Sequence, residues 1–307
     1  MATDQPLDTE RRIVTVPDGR KIDVLMAGPA DGLPLVLHEG TPVGLVLYPP
    51  TVRAAQARGL RVILAARPGY EGSTPRPGRR VVDVAADTAA VLDELGADTF
   101  VTVGWSGGGP HTPACAAALP GRCLAAASVA GVAPCQAKGL DWLAGMGPEN
   151  VDEFGAAAAG EAVLTQFLHR AAAALGAVTG ADVAQALGGL VIAADQAVLT
   201  GEFADYVAAA LRASMNTGID GWRDDDLAFV KDWGFPLDPA PGAPAAPVAI
   251  WQGDQDKMVP FGHGQWLAAS IPGARAHLLP GEGHLSLTIS SLDRILDDLL
   301  DLADLNH

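Results

Sequence analysis

The stretch Phe100-Val-Thr-Val-Gly104-Trp105-Ser106-Gly107-Gly108-Gly109 constrains this chain more than any other. Phe100 to Val103 is a mostly apolar run and reads as a buried strand. Small residues continue beyond the glycines as a helix through Ala118. Between them stands Gly-x-Ser-x-Gly, a strand-turn-helix with a serine at its apex. A turn this tight leaves almost no room for side chains beside the serine, and Gly104 and Gly108 relieve the crowding. The hydroxyl then projects from the sheet edge, and the N–H groups at the helix start point to where an oxyanion would form. The alternative, a purely structural Gly-rich turn, does not explain a serine at the apex.

The rest of the chain suits one large α/β core. Its 307 residues are 49% hydrophobic and 18% charged, ample for a large core with an insertion and against disorder. A formal charge of −16 repels phosphate backbones, so no nucleic-acid partner is expected, and solubility is the simpler reading of the acidity. The three cysteines, Cys115, Cys123 and Cys135, form no C-x-x-C pair and fit a reducing cytosol, so a cytoplasmic protein is expected. The N-terminal residues carry no basic-then-apolar signal, and no apolar run is long enough to span a membrane. A small-molecule substrate is the expected partner, with a homodimer left open.

Strand and helix signals alternate along the first half. Ile13–Val16 and Lys21–Met26 flank Pro17-Asp18-Gly19-Arg20 and predict an edge hairpin. Short apolar runs at Leu35–Leu37, Val62–Ala65, Phe100–Val103 and Ala125–Val129 are separated by helical segments near Val43–Arg58, Val82–Leu95 and Gly107–Leu119. Such alternation implies βαβ units and a mostly parallel sheet. From residue 134 to 235 the pattern is helical without clear strands and predicts an inserted cap. Residues 236–247 are Pro-rich and predict a stiff linker back to the core, which comprises residues 1–133 and 247–307. Strands at Val248–Trp251 and Ala274–Leu279 follow, with a helix near Gly264–Ser270 between them. A last helix carries Leu292, Ile295, Leu296, Leu299 and Leu302 as one stripe.

A serine needs a base, and the base an orienting acid. Both follow strands, in the order Ser, Asp, His. After Ile250-Trp251 comes Gly253-Asp254-Gln255-Asp256, and after His277-Leu278-Leu279 comes Gly281-Glu282-Gly283-His284. Carboxyl ends of strands are where sites on open α/β sheets lie. His284, after a Gly-rich turn, is the candidate base. Asp256 is the candidate acid, with Asp254 as the alternative. His111, His169, His263, His277 and His307 are placed on helices, on a strand, in the insertion or at the terminus.

On these residues the chain resembles the α/β-hydrolase fold, in its cap-bearing serine-nucleophile form, over nearly its whole length. His38-Glu39-Gly40-Thr41-Pro42 resembles that family's oxyanion loop. The resemblance implies that the N–H groups of Thr41 and Gly107 hold the oxyanion. Arg67-Pro-Gly69-Tyr70-Glu71-Gly72-Ser73 resembles the turn after the next strand, and Trp251 to Pro260 the acid loop, in which the second aspartate is the usual triad member. Glu39 stands where histidine is usual, with His38 one place earlier, and Glu71 where glycine is common. Either these carboxylates flank the pocket mouth and select an amine, or they are solvated loop residues.

Trp142, Met146, Phe154, Phe167, Trp222, Phe229, Trp233 and Phe235 concentrate large apolar side chains in or beside the expected cap. With His38, Glu39 and Trp105, the residues Trp142, Met146 and Trp233 are assigned to a substrate pocket, the alternative being cap-to-core packing. Asp224-Asp225-Asp226 is read as a helix N-terminus rather than a metal site. No metal and no cofactor is expected. A serine, not an aspartate, at the elbow implies acyl chemistry. The leading reading is a hydrolase of small apolar esters, thioesters or lactones. An aminopeptidase of the prolyl-iminopeptidase kind and a non-hydrolytic binding protein or cyclase on the same scaffold are the alternatives.

Overall fold

The computed structural model describes residues 7–238 and 245–305. Residues 239–244 of the expected Pro-rich linker, His307 and the first six residues therefore lie outside the described part. The described chain forms one eight-stranded sheet in the order β1-β2-β4-β3-β5-β6-β7-β8. Strands β1 (Thr9–Thr15) and β2 (Lys21–Ala27) pair antiparallel as the expected edge hairpin. Its turn closes through the Val16 N–H on the Arg20 carbonyl, 2.9 Å. Strand β2 joins β4 (Leu60–Ala65) antiparallel. Every later pairing is parallel, through β3 (Leu33–His38), β5 (Phe100–Trp105), β6 (Cys123–Val129), β7 (Val248–Gly253) and β8 (Arg275–Leu279).

The parallel strands are apolar because helices cover both faces. Helices α1 (Pro49–Gln56) and α11 (His284–Leu302) pack on one face, where Val52, Ile295, Leu296 and Leu299 meet Val101 and Val129. Helices α2 (Asp83–Glu94), α3 (His111–Ala118) and α10 (Phe261–Ser270) cover the other, where Leu92, Ala114 and Leu267 meet Phe100 and Ile250. The first helix is shorter than its expected 43–58 span. Pro49 and Pro50 lack the N–H that a continuing helix needs and suit a first turn. Residues 43–48 instead run as a loop against the insertion, with the Gly44 N–H on the Ala210 carbonyl at 2.9 Å. Gly107 to Gly109 likewise delay the third helix, which follows a short 3-10 turn over Ser106–Gly108.

The insertion between β6 and β7 carries six helices among the described residues: α4 (Pro148–Ala159), α5 (Glu161–Leu175), α6 (Val183–Leu187), α7 (Ala193–Val198), α8 (Gly201–Met215) and α9 (Asp220–Phe229). The chain thus has an α/β-hydrolase architecture with a helical layer added at one place. No described helix is long and apolar enough to cross a membrane.

Candidate active site

Strands β3 and β5 are neighbours although β4 lies between them in sequence, so the strand order reverses at this seam. A crevice opens at the carboxyl ends of such a pair. The register places His38 opposite Gly104, and the loops leaving both strands meet there. Ser106 takes a left-handed backbone, φ +56°, directly after β5. A non-glycine residue held there is strained, and surrounding structure must fix it. The Gly109 N–H closes the turn on the Ser106 carbonyl at 2.8 Å. Gly108 has no alternative, because a Cβ there would overlap the His38 carbonyl. A Cβ on Gly107 would overlap the Thr41 side chain and lie 3.1 Å from the Thr41 nitrogen. The loop after β3 is therefore seated on the elbow, with Thr41 N and Gly107 close together.

His284 opens α11, and Asp256 lies in the loop after β7. The His284 Nδ1–H donates to Asp256 Oδ2 at 2.8 Å, with both side chains buried. The proton is assigned to Nδ1 because its neighbour is a carboxylate, which leaves Nε2 the acceptor. Asp256 is held on all sides. The N–H groups of Met258 and Val259 donate to its Oδ1 at 2.8 Å each, and Gln252 Nε2 donates to Oδ2 at 3.0 Å. Asp254 instead accepts the Gly281 N–H at 2.8 Å and braces the neighbouring loop. His284 Nε2 is buried with no hydrogen-bond partner among the described residues, and His284 lines the same cavity as Ser106.

Two aspartates from the insertion hold the two sides of this arrangement, and neither was expected. The run 224–226 sits inside α9 and faces inward, which corrects its reading as a helix N-terminus: the helix begins at Asp220, a turn earlier. Asp225 accepts from Arg67 Nη2 and sits against Arg79 Nη2, both at 2.7 Å, and accepts from the Tyr70 hydroxyl at 2.9 Å and the Thr41 hydroxyl at 2.8 Å. Burial pushes its carboxyl up, but the two guanidinium groups hold it below the ordinary value. Arg67 Nη2 also donates to the Gly40 carbonyl at 2.8 Å, so the same network grips the backbone of the oxyanion-loop candidate. On the other side, Asp195 Oδ1 accepts the N–H groups of Leu285 and Ser286 at 2.8 and 2.9 Å. It thereby satisfies free donors of the first turn of α11, which begins with His284.

Ser106 opens into a cavity of about 170 Å³ between core and insertion. Trp105 and Thr41 wall it from the core side, Phe167, Leu190, Tyr206 and Trp222 from the insertion. Glu149 and Glu153 also reach it. Glu153 accepts from Trp222 Nε1 at 2.7 Å, and Asp226 is buried close enough to feel its charge. Burial raises both of these carboxyls, and the charge of Glu153 raises Asp226 further.

Several expected pocket residues lie elsewhere. Trp142, Met146 and Trp233 do not line this cavity. They join the core cluster that seals the insertion onto the sheet domain. Trp142 packs edge-on to Phe154 at 4.7 Å and donates to the Ala133 carbonyl at 2.6 Å, while Trp233 stacks with Phe235 at 6.2 Å. A seam this long needs large side chains, and the aromatics nearest it are used there. His38 is buried behind the loop with Nε2 3.7 Å from Cys115 Sγ, and burial together with the Arg67 charge pushes its pKa down to about 3. Glu39 does not line the Ser106 cavity and engages Tyr206; burial pushes its carboxyl up to about 7 against the pull of Arg67. Both line a second chamber rather than the Ser106 cavity. Glu71 is not at a pocket mouth either, and sits 3.8 Å from Arg11. The sequence carries only a weak signal for Asp225: three consecutive carboxylates spread over about 200° of a helix, which puts one of them inward once the helix packs but does not say which or against what.

The chain belongs to the α/β-hydrolase-fold family, whose model matches residues 34–288. A non-heme chloroperoxidase from Streptomyces lividans is 36% identical over 148 residues, 48% of this chain and 54% of that protein. The chain thus aligns with about half the length of this curated relative. Among solved structures, a bromoperoxidase from Bacillus anthracis superposes with a TM-score of 0.67 at 21% identity, over 96% of this chain and 100% of that one. An esterase from Rhodococcus sp. ECU1013 superposes with a TM-score of 0.64 at 21% identity, over 95% and 99%. These two likenesses concern the fold. Among the described residues no group of three or more His, Cys, Asp or Glu is placed to hold a metal ion.

Proposed function

We propose that this protein is a cofactor-independent serine hydrolase of small, largely apolar esters, thioesters or lactones, working through an acyl-enzyme. The observation that carries the reading is one imidazole. His284 has Nδ1 fixed by Asp256 and Nε2 unpartnered, and it lines one cavity with a left-handed serine. In the reaction, His284 Nε2 takes the Ser106 proton as Oγ attacks the substrate carbonyl. The N–H groups of Thr41 and Gly107 receive the oxyanion, each worth on the order of 10²–10³ in rate. His284 then returns the proton to the departing alcohol or thiol. Water, deprotonated by the same nitrogen, attacks the acyl-serine; the C–Oγ bond breaks, His284 returns that proton to Ser106 Oγ, and the acid is released. The insertion keeps bulk water from the cavity while this happens.

A fluorophosphonate probe tests the proposal. It should label Ser106, and Ser106→Ala should lose both labelling and p-nitrophenyl ester turnover by about 10⁴-fold or more. Persisting turnover in the purified variant would remove Ser106 from the mechanism.

A second reading, an aminopeptidase of the prolyl-iminopeptidase kind, is favoured by Glu149 and Glu153 on the cavity wall. Carboxylates there suit a substrate ammonium. Faster turnover of aminoacyl-anilides than of simple esters, lost in Glu153→Gln, would select it.

A further inference from the structure

Trp105 and Tyr206 each line two cavities. Beyond them, away from Ser106, lies a second chamber of about 80 Å³. It sits between the sheet and helices α1, α8 and α11, against Leu37, Val103, Phe203, Ile289, Leu292 and Leu296. A water needs only about 10–15 Å³ of such space, so this chamber is large enough for a ligand group. Its walls give water little to bond. Among its polar lining residues, Glu39 is engaged by Tyr206, His38 faces Cys115, and the Thr288 hydroxyl donates to the His284 carbonyl at 3.4 Å, which leaves the hydroxyls of Tyr48 and Thr51. A chamber whose walls are mainly apolar suits an apolar ligand group.

The partition is thin. It consists of two aromatic side chains, both partly exposed. Trp105 Nε1 makes one long hydrogen bond, 3.4 Å, to the His284 carbonyl. The Tyr206 ring rests on Tyr48 at 4.9 Å. Trp105 also packs against the His284 ring at 5.3 Å, and Tyr206 stacks with Phe203 at 6.2 Å and engages Glu39. Trp105 and Tyr206 are common to both spaces, and Ser106 lies on the side of the larger one.

We propose that the chamber behind Trp105 and Tyr206 binds an unbranched alkyl chain of the substrate, whose ester carbonyl sits at Ser106. This deepens the hydrolase reading and rests on it for the position of the carbonyl. Binding of the chain itself does not require turnover, so the two can be separated.

The test titrates Ser106→Ala protein with 1-octanol and 1-butanol by calorimetry. Four further methylenes in an apolar site should make octanol bind at least tenfold tighter. Leu292→Trp and Ile289→Phe, each added to Ser106→Ala, fill the chamber from α11 and should cut octanol affinity at least tenfold in whichever variant keeps its melting transition. In the active protein, the ratio of kcat/KM for p-nitrophenyl octanoate over butyrate should fall by a similar factor with the same fillings. Octanol affinity unchanged in a folded filled variant, or octanol bound no tighter than butanol, overturns the proposal. Octanol binding that follows the fillings in a protein without esterase activity would keep the chamber and sink the hydrolase reading instead.

Discussion

Asp225 and Asp195 both come from the insertion, both are fully buried, and each holds one side of Ser106. They do so by different physics. Asp225 is a charge among charges, between Arg67 and Arg79, with the hydroxyls of Thr41 and Tyr70 completing its shell. Asp195 meets backbone N–H groups at the start of α11, where a neutral acceptor would do nearly as well. The Thr41 side is thus fixed by a network that fails if its charge is removed. The His284 side is fixed by a cap that needs only an oxygen in place. Both tie the insertion to the core at the site itself, so the insertion does more than cover it.

The largest effect expected is on the third aspartate, Asp256, which faces the imidazole directly. Asp256→Asn should lower kcat by about 10⁴-fold, because an amide against Nδ1 favours the wrong tautomer. Asp254→Asn, on the bracing side of the loop, should stay within about tenfold in the same ester assay. The reverse order would transfer the acid role to Asp254.

The elbow, the acid loop and the histidine loop were legible because each is a local arrangement. A tight turn writes its glycines next to its serine, and a strand end writes its polar residues next to its apolar run. The holding aspartates were not legible for the opposite reason. Asp225 meets Arg67 from 158 positions away, and Asp195 meets Leu285 from 90. No local pattern records such pairs, and Asp224 to Asp226 read as a helix N-terminus until the helix boundary is known. The aromatics failed for a third reason. The sequence shows that Trp142, Trp222 and Trp233 fall in one segment, but only packing distinguishes the seam from the cavity wall.

Charge against acceptor can be separated by isosteric change. Asp225→Asn keeps the shape but leaves Arg67 and Arg79 buried without their counter-ion, and should cost about 3–5 kcal/mol in chemical denaturation. Asp195→Asn should cost less than about 1 kcal/mol, while Asp195→Ala, which strands two N–H groups, should cost about 2 kcal/mol. If the two asparagine variants lose the same amount, the distinction between network and cap is wrong.

Seam and wall separate in the same way. Trp142→Ala should cost about 3–5 kcal/mol of stability and leave the preference among ester chain lengths in place. A changed preference with little loss of stability would return Trp142 to the substrate pocket, from which its packing against Phe154 and Ala133 removes it.

The smallest effect concerns Glu39, in the loop that Arg67 grips. Burial raises its carboxyl to about 7 from an ordinary value of 4.5, the Tyr206 hydrogen bond notwithstanding. A folded value above the unfolded one means that the native state binds more protons between the two. Stability from this group is therefore fully present below about 4.5 and is lost as pH rises through about 7. Glu39→Gln keeps an acceptor for Tyr206 and removes the titration. Its melting temperature should exceed that of the parent protein at pH 8, with the difference shrinking as the pH is lowered towards 5. The Asp225 carboxyl shifts oppositely, so its contribution is lost only when acid protonates it below the ordinary carboxylate range. A melting difference between Glu39→Gln and the parent that does not change from pH 5 to pH 8 would mean that Glu39 is already solvated, and that the Thr41 side is held by the Asp225 network without any strain from its neighbour.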